Sequence, residues 1–334
     1  MPDRFRSIVR GDRMPVDPAE QIRLGRSLVT VSKLSLGGGP FGRALDPDRE
    51  GTVEAIVQRA WEIGVRHFDT APLYGLGLSE RRVGRALSSF KPEDRVIATK
   101  VGRLLRPPSG PDTQPVFDYS FDGIMKSLDE SLARMRVVKV DILHLHDPDD
   151  HWDEASGDGY MALDVLRTSG VVKAIGAGMN QSEMLARFAR ETHLDCFLVA
   201  GRYTLLDQSA LAELMPLCSE RDIGVIIGGV YNSGILAGPV EGAHFNYRPA
   251  SAEWLAKAQR LEAICARHET PLKAAAIQFP FAHPAVATVL SGVRSVAELD
   301  ENARMMAFDV PADLWRAIRT DGLVPEGCPL PGGH

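Results

Sequence analysis

The sequence lacks the features that mark secreted, disulfide-rich or membrane-spanning proteins. Only four of its 334 residues are cysteines, without C-x-x-C spacing: Cys196, Cys218, Cys265 and Cys328. Such isolated thiols predict buried free cysteines rather than disulfides or metal ligands. The first residues, MPDRFRSIVRGDRM, carry charges where a secretion signal needs an apolar run, and no apolar stretch approaches the length of a membrane span. We therefore expect a cytoplasmic protein without a membrane partner.

Clusters of basic residues interleaved with aromatic ones are also missing. The formal net charge is −6, which would repel the phosphates of a nucleic acid. For both reasons we expect no nucleic acid partner. With 44% hydrophobic and 25% charged residues, the composition is that of an ordinary globular protein with enough apolar material for a large core. The chain is long for one domain, but single α/β barrels reach this length.

Short apolar runs recur along the chain, and each is followed by a loop and an amphipathic segment. The runs that we interpret as strands cover residues 33–36, 66–69, 96–100, 141–145, 174–177, 197–200, 225–227 and 286–290. Helical periodicity predicts helices over residues 53–63, 80–87, 121–135, 160–168, 182–190, 211–220, 252–267 and 296–305. This alternation favours a parallel sheet, and eight repeats are the number at which such a sheet closes. The sequence therefore predicts a single domain over residues 1–334, an α/β fold of the (β/α)8 TIM barrel type.

Three further segments add to this repeat. An extra helix is predicted over residues 271–278, with Thr270 as its N-cap and Pro271 in its first turn. The alternation of strands and helices is interrupted by two long loops. They cover residues 103–120, after the third strand, and residues 228–251, after the seventh. Loops that follow the strands of a barrel emerge at its active-site face. We therefore expect extra helices and loops at the C-terminal face of the barrel.

The segment GGGPFG, residues 37–42, matches the G-x-G-x-x-G pattern of dinucleotide-binding Rossmann folds. In that fold the pattern opens a helix that buries its third glycine. Here Pro40 and the polar stretch RALDPDREG follow instead. We therefore favour another interpretation, in which these glycines let the backbone approach a ligand at the barrel mouth.

Polar side chains stand at the ends of three successive predicted strands. The stretch HFDTAPLYGLGLSERRVGRAL, residues 67–87, predicts a strand, a loop and a helix capped by Ser79. Asp69 ends this second strand, and Tyr74 lies in its loop. Lys100 ends the third strand and His146 ends the fourth. Because the strand ends of a barrel converge, we expect these side chains to share one pocket.

The four residues form a candidate acid–base set. A tyrosine has a pKa of about 10, so bringing it to neutrality needs a shift of ~3 units, or about 4 kcal/mol at roughly 1.36 kcal/mol per unit. An ammonium about 4 Å away supplies about 4 kcal/mol at an effective dielectric constant of about 20. Lys100 alone is therefore expected to lower the pKa of Tyr74 sufficiently. Asp69 would hold the lysine charge, and His146 would orient a substrate oxygen.

Each of these residues also has a purely structural interpretation. In chain order, these are a loop cap, a packed aromatic ring, a lysine that extends to solvent and a histidine with all its hydrogen bonds made. Their occurrence together at successive strand ends favours catalysis. His144 competes with His146 because residues two apart share one face of a strand, but it lies deeper in the barrel. The H-x-H pair also suggests a zinc hydrolase, which needs ligands on later strands. Those strands end in Ala177, Ala200, Gly228 and Ser291, so we expect no metal.

Four segments carry a resemblance to a known family: HFDTAPLYGLGLSERRVGRAL, VIATKVG, DILHLHDP and SGVRSVAELDENARMM. They resemble the aldo-keto reductase superfamily, over about residues 23–306, and the D-T-A-x-x-Y-G segment is highly specific. The resemblance implies an NAD(P)-dependent oxidoreductase whose catalytic tetrad is Asp69, Tyr74, Lys100 and His146. The segments GRLLRPP, IGAGMNQSEM, GGVYNSGILAG and VPEGCPLP look most like NAD-dependent aldose 1-dehydrogenases acting on L-fucose, D-threo-aldoses or L-galactose, and like the related pyridoxal 4-dehydrogenase.

A dinucleotide cofactor needs donors for its phosphates. The turn SGVRS supplies Gly292, Arg294 and a helix N-terminus, where free backbone N–H groups favour anions. By resemblance, this segment and the loop 232–236 clamp the ADP half of the cofactor, and Asn180 holds the nicotinamide amide. The residues expected to contact the cofactor are Gly39, Asn180, Asn232, Ser233, Gly234, Leu236, Gly292, Arg294, Glu298 and Asn302.

The chain departs from the common reductases of the superfamily around the nicotinamide. Where those carry Ser-Asn it has Gly-Met-Asn, ending at Asn180, and Ala200 replaces their Gln. Their stacking tyrosine aligns with Gly228, which makes Tyr231 the candidate for stacking.

Glu298 bears on the choice of cofactor. It lies four residues before Asn302, at a position where NADP-using relatives often carry Arg. A carboxylate accepts a hydrogen bond from the 2′-hydroxyl of NAD and repels the 2′-phosphate of NADP. We therefore favour NAD, with NADP as the alternative. Ser295-x-x-Glu298 is also a capping box, which explains Glu298 without a ligand.

The predicted reaction is oxidation of a sugar hemiacetal to its lactone, with Tyr74 as the base and Phe41 and Trp152 as substrate contacts. Trp152 has an alternative role as an aromatic that closes the barrel rim. Pyridoxal oxidation and general aldehyde or ketone reduction are the alternative activities, and a non-catalytic nucleotide-binding regulatory subunit is the alternative to an enzyme. We expect a small-molecule substrate, sugar or pyridoxal-like, and a monomer or homodimer.

Overall fold

The computed structural model describes residues 15–43 and 49–333. Within these ranges eight parallel strands close into a barrel: β1 (Leu34–Gly37), β2 (His67–Asp69), β3 (Val96–Val101), β4 (Ile142–His146), β5 (Ala174–Met179), β6 (Cys196–Ala200), β7 (Gly224–Gly228) and β8 (Val286–Ser291). Neighbours in the chain are neighbours in the barrel, and β8 closes it by pairing with β1. The TIM barrel predicted from the sequence is confirmed.

Each barrel strand overlaps the apolar run predicted for it, and no end differs by more than two residues. The pairing register brings the carboxyl ends of neighbouring strands together. Gly37 pairs with Asp69, and Lys100 pairs with His144. Residues that follow these positions therefore surround one opening, the barrel mouth.

The helices of the described ranges surround the barrel. They are α1 (Arg49–Glu62), α2 (Leu78–Ala86), α3 (Phe121–Met135), α4 (Trp152–Glu154), α5 (Tyr160–Thr168), α6 (Ser182–Glu191), α7 (Leu214–Glu220), α8 (Ala252–Arg267), α9 (Leu272–Gln278), α10 (Val296–Met306) and α11 (Ala312–Thr320). Every predicted helix is present, although α7 begins at Leu214 because a separate 3-10 turn precedes it. The sequence prediction missed two helices, the short α4 and α11, and α11 buries Leu314, Trp315 and Ile318 along one face.

Two predicted helix caps are wrong. Ser79 lies inside α2, whose first residue is Leu78, and its hydroxyl donates to the carbonyl of Gly38 at 2.7 Å. Thr270 donates to the carbonyl of His268 at 3.0 Å, and no side chain caps α9. In both cases the hydroxyl donates to a backbone carbonyl, whereas a helix cap would accept from a free N–H at the helix start.

A short antiparallel hairpin, Gln21–Arg23 paired with Thr30–Ser32, closes the bottom of the barrel. Gly25, in its turn, packs against Gly224 at the start of β7. Leu24 belongs to the apolar cluster that fills the barrel interior, while a larger cluster lies between strands and helices. All four cysteines are buried and free, as predicted.

Two long connections follow barrel strands at the mouth. After β3, Arg103–Arg106 pairs with Gln114–Phe117 as a hairpin. After β7, a 3-10 turn at Asn232–Ala237 precedes a small antiparallel pair, His244–Phe245 with Arg248–Pro249. The two predicted irregular loops therefore carry some order of their own. No helix in the described ranges is long and apolar enough to cross a membrane, and residues 1–14 lie outside those ranges.

The segment 37–42 does not open a long helix. β1 ends at Gly37, and a 3-10 turn follows at Gly39–Gly42. The structure leaves no room for a Cβ on Gly42, which packs on the backbone of Tyr74. Gly42 therefore allows two loops to pack closely. The sequence had suggested instead that it lets the backbone approach a ligand.

Candidate active site

The carboxyl ends of β2, β3 and β4 bring together the four residues predicted to act as an acid–base set. Lys100 Nζ donates to Asp69 Oδ1 at 2.6 Å and to the carbonyl of Thr70 at 2.9 Å. The same ammonium lies 4.9 Å from the ring centroid of Tyr74. The imidazole of His146 meets that ring edge-on, with 5.8 Å between centroids. One compact group, the acid–base cluster, therefore contains all four side chains.

The members of the acid–base cluster differ in their exposure. Asp69, Lys100 and His146 are 1%, 2% and 4% exposed, whereas Tyr74 is only partly buried. Tyr74 is therefore the member most open to a ligand in the mouth.

A sharp turn holds Tyr74 in place. Gly75 and Leu76, which follow it, have φ angles of 62° and 51°. A Cβ on Gly75 would collide with the carbonyl of Gly42, so this contact requires glycine. The turn therefore fixes the backbone that carries the phenol.

Burial and charge act in opposite directions on the pKa values of the cluster. Burial lowers the pKa of the Lys100 ammonium, but Asp69 and Tyr74 beside it raise that pKa above its ordinary value. For the phenol of Tyr74, burial is the largest effect and raises the pKa despite the opposing charge of Lys100. Burial likewise raises the pKa of Asp69. The prediction that Lys100 brings the pKa of Tyr74 to neutrality is wrong, because lost solvation of the phenolate outweighs the ammonium.

The two neighbouring histidines occupy different surroundings. Burial, with Lys100 and Arg103, holds the pKa of His146 well below its ordinary value. His144 is fully buried, and its Nε2 lies 3.6 Å from Cys196 Sγ. His144 is therefore the deeper of the two, as predicted, and His146 beside Tyr74 is a neutral ring with one N–H to donate.

Three residues beside the cluster were not predicted from the sequence. Arg103 Nη2 lies 3.0 Å from Asp147 Oδ2, and the same oxygen is 3.6 Å from His146 Nε2. Tyr119 donates its hydroxyl to the carbonyls of His146 and Asp147, at 2.5 and 3.1 Å. A signal was present for two of them, because Asp147 directly follows His146 and Arg103 lies three residues after Lys100.

A cavity of about 410 Å³ opens between the end of β8, the start of α10 and the loop after β7. Six residues predicted to contact the cofactor line it: Ser233, Gly234, Gly292, Arg294, Glu298 and Asn302. Tyr231 also lines it and donates to Asn302 Oδ1 at 3.0 Å. Asn302 in turn donates to Ser291 Oγ at 2.8 Å. These bonds give the cavity a fixed polar wall.

Two predicted cofactor residues, Gly39 and Asn180, do not line this cavity. Gly39 begins the 3-10 turn whose next residue, Pro40, lines the cavity. Asn180, expected to hold the nicotinamide amide, donates to the carbonyl of Ala200 at 2.8 Å. That bond fixes the Asn180 side chain between the ends of β5 and β6.

Two other predicted cofactor residues are buried in the loop after β7. Asn232 donates to the carbonyl of Gly201 at 3.0 Å and accepts from Thr204 at 2.5 Å. Leu236 lies in the hydrophobic core. Both side chains are therefore engaged in shaping the loop.

Glu298 forms half of the predicted capping box. Ser295 Oγ accepts from the backbone N–H of Glu298 at 3.2 Å, as such a box requires. The carboxylate of Glu298 accepts from the backbone N–H of Arg294 at 2.7 Å instead of that of Ser295. Glu298 therefore stabilises the turn before α10 and lines the cavity at the same time.

The two predicted substrate contacts make packing contacts. Phe41 is 2% exposed, and its carbonyl accepts from Arg82 at 2.7 Å. The ring of Trp152 lies 4.6 Å from that of Phe188, with the guanidinium of Arg187 at 3.8 Å. For Trp152 these contacts favour the alternative role of an aromatic at the barrel rim.

Comparison with known proteins identifies the family of this chain. The model of the aldo/keto reductase family matches residues 33–320. The chain belongs to this family. It is 41% identical to a D-threo-aldose 1-dehydrogenase of Pseudomonas sp., over 89% of this chain and 96% of that protein. It is 38% identical to a pyridoxal 4-dehydrogenase of Microbacterium luteolum, over 93% of this chain and 100% of that protein.

A solved structure shares the fold of this aldo/keto reductase. The holo form of an aldo-keto reductase from Bacillus halodurans superposes with a TM-score of 0.76 and 26% identity, covering 92% of this chain and 97% of that one. The protein is therefore an oxidoreductase of the aldo/keto reductase family, whose members depend on a nicotinamide nucleotide.

The cavity beside α10 fits such a nucleotide. Gly292 and Pro40 both line it, and a Cβ on Gly292 would lie 3.1 Å from Pro40, so glycine permits the close approach of these two segments. Polar groups of Ser233, Arg294 and Asn302 surround it, next to the N-terminus of α10. Within residues 15–43 and 49–333, no group of three or more His, Cys, Asp or Glu side chains is arranged to hold a metal ion.

Proposed function

We propose that this aldo/keto reductase oxidises the hemiacetal carbon of an aldose to a lactone, with NAD as cofactor and Tyr74 as general base. The observation that carries the proposal is the acid–base cluster, in which a buried Lys100–Asp69 pair lies beside the ring of the partly buried Tyr74. Neutral His146 stands edge-on to the same ring. A base, a charge that stabilises its anion and a hydrogen-bond donor are the parts that this oxidation needs.

In the proposed reaction Tyr74 takes the proton of the anomeric hydroxyl as the C1–H bond breaks and the lactone carbonyl forms. Lys100 stabilises the phenolate that precedes this transfer, and Asp69 keeps Lys100 protonated. His146 donates to the oxygen that becomes the carbonyl. A bound nicotinamide supplies the acceptor for the hydride that leaves C1.

The charges of the cavity support NAD rather than NADP. Arg294 Nε lies 3.3 Å from Glu298 Oε1, and Lys273 Nζ lies 2.9 Å from Glu301 Oε2. Two of the three cations that line the cavity are therefore already paired with carboxylates, the third being Arg43. A 2′-phosphate would compete with both carboxylates, whereas a 2′-hydroxyl can donate to either one.

The relatives support two substrate classes. The D-threo-aldose 1-dehydrogenase, at 41% identity, supports an aldose, and the pyridoxal 4-dehydrogenase, at 38%, supports pyridoxal as the second candidate. Arg103 and Asp147 beside the acid–base cluster favour the aldose, because a sugar offers several hydroxyl groups to such side chains.

The test is a panel of aldoses and pyridoxal with NAD and with NADP, followed at the absorbance of the reduced nicotinamide. We expect turnover of L-fucose with NAD, and NMR of the product before hydrolysis should show the lactone. Oxidation of pyridoxal alone would replace the sugar assignment with the second candidate. No turnover of any substrate, with the nucleotide bound, would support the regulatory subunit.

A further inference from the structure

We infer that Asp147, held by Arg103, binds the hydroxyl group on the carbon next to the reacting carbon of the substrate. This inference rests on the proposed oxidation of an aldose and adds a preference for sugars that carry a 2-hydroxyl group. It starts from a charge pair at the mouth that the proton transfer itself does not use. Arg103 Nη2 and Asp147 Oδ2 are 3.0 Å apart.

The backbone of Asp147 is fixed from two sides. It is the first residue after β4, its φ is 45°, and its N–H donates to the carbonyl of Gly178 at 3.0 Å. Its own carbonyl accepts from Tyr119 at 3.1 Å. A positive φ is uncommon outside glycine, although Asp and Asn tolerate it better than most residues. The position of the carboxylate is therefore set by the frame of the barrel.

The carboxylate lies beside His146, whose ring meets that of Tyr74 edge-on. The Asp147 side chain is 28% exposed, far more than the buried members of the acid–base cluster. Its charge also reaches the cluster, since it contributes to raising the pKa of Tyr74. A ligand that contacts the phenol therefore lies within reach of this carboxylate.

Three buried polar atoms around the pair have no hydrogen-bond partner in the described part of the chain. They are Arg103 Nε, His146 Nδ1 and Asp149 Oδ1. Buried polar groups of folded proteins are normally hydrogen-bonded, so such a group needs an explanation. The set contains both a donor and an acceptor, which suits hydroxyl groups because each can donate and accept.

Asp147 and His146 are placed to bind two different oxygens of a substrate. At 3.6 Å, Asp147 Oδ2 and His146 Nε2 are too far apart for a direct hydrogen bond. Each can therefore engage a different oxygen of a bound 1,2-diol. The oxygen on the reacting carbon meets Tyr74 and His146, and the neighbouring hydroxyl donates to Asp147.

The experiment compares L-fucose with 2-deoxy-L-fucose, using NAD and measuring kcat/KM. We expect the wild-type kcat/KM to be about tenfold to a hundredfold higher for L-fucose. This factor corresponds to the free energy of one hydrogen bond to a charged group. Asp147→Gly removes the carboxylate without strain, because glycine adopts a φ of 45° freely. In this variant the ratio of kcat/KM for L-fucose to that for 2-deoxy-L-fucose should fall close to one, because only the value for L-fucose decreases. Asp147→Asn, which keeps a neutral acceptor, should give an intermediate preference.

The matched control is Asp150→Asn, which removes an exposed charge in the same loop and should leave the preference unchanged. Equal use of the two sugars by the wild-type enzyme would overturn the inference. So would an equal loss for both sugars in Asp147→Gly, which would make Asp147 a positioning residue for His146. If Asp147→Gly does not fold, the wild-type comparison and Asp147→Asn still decide. If the wild type oxidises neither sugar, the proposed function fails, and the inference fails with it.

Discussion

Lys100 and Asp69 form an ion pair of 2.6 Å with 2% and 1% of their side chains exposed. Two charges withdrawn from water are tolerated only when their geometry is close and further hydrogen bonds satisfy them, as the carbonyl of Thr70 does for Lys100. The pair therefore keeps a charged ammonium at the mouth, and removal of either partner would leave a buried charge uncompensated.

Replacing Lys100 by Met should destabilise the protein as well as inactivate it. Asp69 would remain buried without its partner, so we expect the free energy of unfolding to fall by about 3–5 kcal/mol. Urea denaturation measures this loss. Lys100→Met with Asp69→Asn is the matched control and should recover part of the stability but none of the activity. Unchanged stability in the single variant would contradict a compensated buried pair.

Tyr74→Phe should remove turnover while leaving cofactor affinity nearly unchanged. The variant loses the oxygen that transfers the proton and little binding surface, and a general acid–base group contributes ~10²–10⁴-fold to the rate. Steady-state kinetics and a cofactor titration measure the two effects. Tyr160→Phe makes the same chemical change at a hydroxyl that contacts the backbone of His193, and should keep full activity. A Tyr74→Phe enzyme with near wild-type turnover would exclude Tyr74 from the mechanism.

The rate of oxidation should rise with pH into the alkaline range. Tyr74 acts as base only when deprotonated, and because burial raises its pKa above the ordinary value of about 10, its base form is scarce at neutral pH. Below that pKa, kcat for oxidation should therefore increase by about tenfold per pH unit, as the phenolate population does. Because the pKa of His146 is held well below its ordinary value, no step should arise from its titration near neutrality. A rate that is already constant at neutral pH would show that the phenol ionises there.

Glu298→Arg should increase the use of NADP relative to NAD. The change removes a carboxylate from the cavity and adds a cation that can bind a 2′-phosphate. It also removes the acceptor for the N–H of Arg294, with a stability loss typical of a lost cap, ~1 kcal/mol. The measurement is the ratio of kcat/KM values for the two cofactors.

Glu298→Gln is the matched control for this charge reversal. It keeps an oxygen that can accept from Arg294 and removes only the negative charge. We expect a smaller shift toward NADP and little loss of stability. If neither variant moves the cofactor ratio, Glu298 serves only to stabilise the turn before α10.

The barrel and the positions of the acid–base residues follow from the sequence because both depend on local patterns. Alternating apolar runs and amphipathic segments predicted all eight strands, and a barrel brings every strand end to one face. Knowing that Asp69, Lys100 and His146 end neighbouring strands was therefore enough to expect them in one pocket.

Other features were decided by contacts between distant parts of the chain. The pKa of Tyr74 rises because the folded barrel removes water from the phenol, an effect that the spacing of residues does not encode. Ser79 was expected to cap a helix, but the fold brings Gly38 within its reach. The pairing of Arg103 with Asp147 likewise depends on how two loops meet above the barrel. By itself the sequence determined which groups stand at the mouth, because strand periodicity is local. Only the tertiary structure decided their protonation and partners, because solvation and hydrogen bonding depend on what packs around each side chain.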